Sequence, residues 1–155
     1  MSDYGRRIVV DADFGTALQA LHDALDEEQM QVLASVDLRD HFRHESAHDF
    51  RKYTLIQAWS RDLAYKALRH NLDTGAMLTT TFAVYELADG ETAVTAAEPW
   101  AAVSGDAGWR EGSPELCTIA DSESDRVARV LGRLQHRRLE LTASEPDRVF
   151  DAARL

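Results

Sequence analysis

Cysteine, proline and lysine are scarce in this chain: one, three and two residues respectively among 155. A lone thiol, Cys117, cannot build a disulfide framework, so the fold must rest on its core. Cys-x-x-Cys pairs, a glycine-rich phosphate loop and a G-x-S-x-G elbow are all missing. That removes the commonest redox, nucleotide and serine-hydrolase signatures. No apolar run approaches the roughly 20 residues of a membrane span, and the opening MSDYGRRIVV has no apolar signal core. The expected setting is therefore cytoplasmic, with no membrane partner.

Cationic surface is also short. The formal net charge is −10, and such a surface repels a phosphate backbone unless its basic residues cluster. Arg126, Arg129, Arg133, Arg137 and Arg138 do gather late in the chain, but Glu123, Asp125 and Glu140 interleave them. The spacing reads as a solvated helix face, and nucleic acid is not expected as a partner. What remains is ordinary for a globular domain: 45% hydrophobic residues, enough for one core at this length.

Arg6 to Val10 reads as a first strand. Asp11 or Asp13 offers an N-cap, and Phe14, Leu18, Leu21 and Leu25 follow at helical spacing to about Glu28. Met30, Val32, Ala34 and Val36 alternate as a half-buried strand. Asp37 to Arg51 is charged and without clean period, so it is expected to be irregular. Tyr53, Leu55 and Gln57 begin a third strand. Ser60 then caps a helix carrying Leu63, Ala64, Ala67, Leu68 and Leu72, and Asp73-Thr74-Gly75 is expected to end it through a positive φ at glycine. Leu78 to Leu87 makes strand four. Asp89-Gly90 signals a hairpin to strand five at Thr92 to Ala96. After a loop over residues 98–112, Ser113-Pro114 starts a last helix to about Gln135.

This order, β-α-β-β-α-β-β-α, predicts an α+β fold: a single, mainly antiparallel five-stranded sheet with helices on one face. Residues 1–136 form the expected domain, and 137–155 a polar, partly ordered C-terminal tail. Phe82, Val84, Tyr85 and Leu87 put apolar groups on both faces of strand four. Burial on both sides favours a homodimer.

Several of these residues carry a resemblance. Tyr53-Thr-Leu-Ile-Gln-Ala, a helix with Leu63-Ala64-Tyr65-Lys66-Ala67-Leu68, then Gly75-Ala-Met-Leu78 and Phe82-Ala-Val84-Tyr85-Glu86 resemble the domain-of-unknown-function 302 family. The likeness covers most of residues 4–136. It implies a fold like one half of the TATA-binding protein, often paired as dimers, and implies no activity. Many members show Cys-Asn-Pro opening the second helix, where this chain has Trp59-Ser60-Arg61. Many show Leu-Pro-Cys entering strand four, where it has Leu78-Thr79-Thr80. With both cysteines gone, thiol redox or soft-metal chemistry is excluded at these positions.

Two constellations are candidate sites. His44-Glu45-Ser46-Ala47-His48 matches H-E-x-x-H. On a helix, His44 and His48 share one face and can grip zinc, while Glu45 polarises a metal-bound water and would be the catalytic base. Arg51 and Thr54 stand where the extended protease pattern needs glycine and a third histidine, although Asp37, Asp40, His41 or Asp49 can supply a third ligand. Surface histidines are the first reading of this string, adventitious or regulatory metal the second, and a hydrolase the third. The other candidate is a ligand-binding pocket of Trp59, Ser60, Asp62, Thr79 and Thr80, at a helix N-terminus whose free N–H groups favour an anion. The bland alternative is a core tryptophan beside strand-filling threonines. The expected function is a non-catalytic binding or accessory domain for a small ligand or a protein partner, without a required cofactor. The alternatives are a zinc site at His44 and His48 and a structural, self-associating domain.

Overall fold

A computed structural model describes residues 4–46, 49–88, 90–101 and 112–143. The described elements are β1 (Arg6–Val10), α1 (Phe14–Glu27), β2 (Gln31–Asp37), α2 (Leu38–Ser46), β3 (Tyr53–Trp59), α3 (Arg61–His70), a 3₁₀ segment (Leu72–Met77), β4 (Thr80–Ala88), β5 (Glu91–Ala97) and α4 (Pro114–Ala143). The five strands form one sheet in the order β1-β5-β4-β3-β2, antiparallel at every pairing. The α+β architecture expected from the sequence is the one adopted.

Period-two alternation separates the two sheet faces. On the inner face, Val10, Ile56, Ala58, Phe82, Val84, Val94 and Ala96 are buried. They pack against Leu21, Ala24 and Leu25 of α1 and Val127, Val130, Leu131 and Leu134 of α4. A second cluster joins Leu63, Ala64 and Ala67 of α3 to Trp100 and to Leu116, Cys117 and Ala120 of α4. Cys117 is thus a small buried hydrophobe and Trp100 a core residue, whereas Trp109 lies outside the described residues.

Local chemistry explains the boundaries. Asp13 is the N-cap of α1, its carboxylate accepting from Thr16 N at 3.0 Å. The helix ends in a Schellman pattern: Met30 N donates to Leu25 O at 2.8 Å and Gln29 N to Asp26 O at 3.0 Å. Gln29 takes φ of 60° there without being glycine. Gly90, at φ 81°, serves the hairpin between β4 and β5.

Four expectations are corrected. Asp37 to Arg51 is not all irregular, because α2 occupies Leu38–Ser46, started by Asp37, whose carboxylate accepts from Asp40 N. The α3 helix ends at His70 rather than at Gly75; Asn71 caps it, and Gly75 sits in 3₁₀ geometry without a positive φ. Strand four starts at Thr80 rather than Leu78. The last helix continues past Gln135 to Ala143, into the stretch expected to be tail.

A ladder of ion pairs ties α4 to α1 as far as Arg137, just past the expected end. Arg129 Nε donates to Glu28 at 2.7 Å, Arg133 to Glu28 and Glu27, and Arg137 to Asp23 at 2.9 Å and Glu27 at 2.7 Å. Arginines four apart share a helix face and meet three acids of the neighbouring helix. These arginines therefore do more than face solvent, and the Glu28 side chain is only 8% exposed. The two guanidiniums hold its carboxyl below the ordinary range, led by the hydrogen bond from Arg129.

Candidate functional site

The end of the sheet where β3 runs into α3 gathers most of the unpaired polar atoms of the described residues. Ala58 pairs with Thr80, and Thr81 with Ala97, so one more step places Thr80 opposite Glu98. Thr80 and Glu98 share the parity of Phe82 and Ala96 and so point to the inner face. Ser60 follows β3 as the N-cap residue of α3, and α4 crosses above with Glu123. Ser60, Thr80 and Glu123 are 2%, 1% and 3% exposed.

Ser60 Oγ, Thr80 Oγ1, Glu98 Oε1 and both carboxylate oxygens of Glu123 are buried without a normal hydrogen bond. Ser60 has the extended backbone of an N-cap, but its side chain makes no cap bond. The hydroxyl was expected to cap the helix; instead it lies beside Glu123, close enough to ease that carboxyl's desolvation. Other charges nearby are matched. Asp62, in the first turn of α3, receives both arms of Arg126 at 2.8 and 2.9 Å, and this bond lowers its pKa. Arg6 Nε meets Glu98 Oε2 at 3.0 Å, and Arg6 Nη2 donates to Ser124 Oγ at 2.8 Å. Burial pushes the Glu98 carboxyl above its usual range against the pull of Arg6. Burial raises Glu123 likewise; Ser60 and Arg126 oppose it, while Asp62 and Glu98 add to it.

Of the five residues expected to bind a ligand, the fold brings Ser60 and Thr80 to this cluster and Asp62 to its rim. Trp59 is half-buried at the end of β3, its indole N–H donating to Gln31 Oε1 at 3.2 Å, and Thr79 is half-buried just ahead of β4. Carboxylates (Asp62, Glu98, Glu123) outnumber guanidiniums (Arg6, Arg126) around it, so the site disfavours the anion that a bare helix N-terminus would attract. Glu98 and Glu123 went unrecognised in the sequence. One signal was available: Glu123 falls on the stripe Leu116, Ala120, Val127, Val130 and Leu134, a charge at a core position among the described residues of that helix.

His44 and Glu45 fall in the last turn of α2, which ends at Ser46. Their side chains, and His48 altogether, lie outside the described residues. Among the described residues no group of three His, Cys, Asp or Glu side chains is placed to hold a metal ion. A groove of about 580 Å³ runs between α3 and α4, walled by Leu63, Lys66, Arg69, Thr118 and Ile119. His70 Nδ1 meets Glu115 Oε2 at 3.2 Å across it, so this histidine is bridged rather than merely solvent-facing.

The outer sheet face is different in kind. Small residues (Thr81, Ala83, Thr95, Ala97) floor a concavity of about 360 Å³, and Tyr4, Arg7, Tyr53 and Tyr85 wall it. Tyr53 and Tyr85 stack at 5.1 Å and 10°, and Arg7 Nε donates to Tyr85 Oη at 3.1 Å. Phe42 of α2 and Phe50 continue the aromatic row, their rings 5.0 Å apart.

The family described as domain of unknown function DUF302 matches residues 7–134. The chain belongs to that family. A crystal structure of an uncharacterised conserved DUF302 protein from Bacillus stearothermophilus superposes with a TM-score of 0.70 at 22% identity, over 86% of this chain and 99% of that one. It supports the fold. No curated protein matches the chain. This DUF302 domain has no helix, among its described residues, long and apolar enough to cross a membrane.

Proposed function

We propose that this DUF302 chain is a cytoplasmic, non-catalytic binding or accessory domain that works as a homodimer, serving a small ligand or a protein partner. The observation that carries the pairing is the outer sheet face. No described helix packs over its floor of Thr81, Ala83, Thr95 and Ala97, and Ala93, beside them, is fully buried even without a cover. Five strands about 4.8 Å apart and about six residues long give a face of roughly 500 Å² in projection. Side-chain relief and the Tyr4, Phe42 and Phe50 flanks bring it towards the ~800 Å² per partner of a stable dimer. A second copy offers the matching surface, since a two-fold interface is self-complementary.

Sedimentation velocity at micromolar concentration tests this, comparing wild type with Ala83→Arg. A dimer that becomes monomeric in the variant supports pairing through this face. A monomeric wild type refutes it. A zinc site is the second reading, favoured by the helical conformation of α2 at His44 and Glu45. Metal content of untagged protein, with His44→Ala alongside, decides it: one zinc lost in the variant is its signature. A structural domain that only self-associates is distinguished by an inner cluster of Ser60, Thr80, Glu98 and Glu123 that responds to no ligand.

A further inference from the structure

We propose that the buried cluster of Ser60, Thr80, Glu98 and Glu123 is a binding site for a small protonated amine, an ammonium ion or the head group of a primary alkylamine. Five buried oxygens lie on these four side chains without a normal hydrogen bond: the two hydroxyls, Glu98 Oε1 and both oxygens of Glu123, with Ser60 beside Glu123. Every one of them can accept a hydrogen bond, and an ammonium group brings only donors. Buried polar atoms are nearly always paired in folded proteins, so several acceptors on neighbouring elements call for a donor.

Charge selects the ligand class. Glu98 is matched by Arg6 and Asp62 by Arg126, while Glu28 belongs to Arg129 and Arg133. Three carboxylates therefore face two guanidiniums around the cluster, and the surplus negative charge resides on Glu123. One monovalent cation neutralises it. A divalent ion would overcompensate, and the acids are not grouped as a metal site. Two hydroxyl acceptors, Ser60 and Thr80, favour a donor with directional N–H bonds over a bare ion.

This inference rests on the reading of the chain as a binding domain but not on its pairing, because the cluster and Ala83 lie on opposite sheet faces. The test is thermal unfolding at about pH 8 in sodium phosphate, with ammonium, methylammonium, trimethylammonium, potassium or sodium chloride at matched ionic strength. Ammonium and methylammonium at ten times their Kd should raise Tm by about 5 °C. Trimethylammonium, with a single N–H, should not. The response should vanish in Glu123→Gln and weaken about tenfold in apparent affinity in Thr80→Val, a nearly isosteric change that keeps the strand. It should persist in Ala83→Arg, so that loss of pairing and loss of amine binding are read separately. An equal response to potassium, no response to either amine, or an undiminished response in Glu123→Gln together with Thr80→Val overturns the proposal.

Discussion

Replacing Glu123 by glutamine should stabilise the unliganded protein at neutral and alkaline pH. The carboxylate is 3% exposed, and neither oxygen has a normal hydrogen bond. A buried polar group left unpaired costs about 1–3 kcal/mol, and a charged one more. Glutamine keeps the shape and removes the charge. Part of the penalty stays with the neutral amide, so the net gain is about 1–2 kcal/mol. For a domain of this size that is a rise in Tm of roughly 2–8 °C.

The pH dependence carries the sign. Burial holds the Glu123 carboxyl above its usual range, so protonation favours the folded state. That contribution is complete below the ordinary carboxylate pKa and is lost as pH rises through the raised value. The gap between Glu123→Gln and wild type should therefore be closed below the ordinary carboxylate pKa, widen as pH rises through the raised value, and level off beyond it. The groups facing Glu123 are Ser60 and Asp62 from α3, Glu98 after β5 and Arg126 on its own helix. All are present in both proteins, so their own titrations largely cancel in the difference. Melts across this pH range in amine-free buffer make the comparison. A variant less stable than wild type at pH 8, or an offset that does not change with pH, would show that Glu123 is already compensated and would refute the reasoning.

Other outcomes follow from the same structure. Glu28→Gln should lower Tm by a few degrees, more in low salt than in molar salt, because Arg129 and Arg133 lose their shared acceptor; its carboxyl is held low, so the loss should shrink as pH falls through that depressed value. Gln29→Gly should stabilise by about 0.5–1 kcal/mol in urea unfolding, since glycine takes the left-handed conformation without strain. Gly5→Ala should destabilise by about 1–3 kcal/mol, because φ is 151° and a Cβ there would run into the Ala96 carbonyl oxygen. Phe82→Ala, at a fully buried side chain of the central strand, should cost about 3–5 kcal/mol, measured by the same unfolding curves.

Much of the fold was legible because it is written in short-range patterns. Alternation over Met30 to Val36 and Tyr53 to Gln57, and the helical spacing of Phe14 to Leu25, mark elements whose apolar faces must be buried somewhere. Asp13 and Gly90 acted locally as their residue types suggest. The α2 helix was hidden by its charge, although Asp37 ahead of Leu38 and Phe42 was a start signal. The tie that holds α4 just past its expected end reaches a neighbour 110 residues away, with Arg137 held by Glu27.

Sequence alone determined the strand and helix periods, the antiparallel hairpin and the family, because each depends on residues close together in the chain. Tertiary structure decided which polar groups meet. Ser60, Thr80, Glu98 and Glu123 come from four separate elements, and only the strand register and the crossing of α4 bring them together. Whether a glutamate is solvated or buried with one charge uncompensated is settled by what packs over it, and no local pattern encodes that.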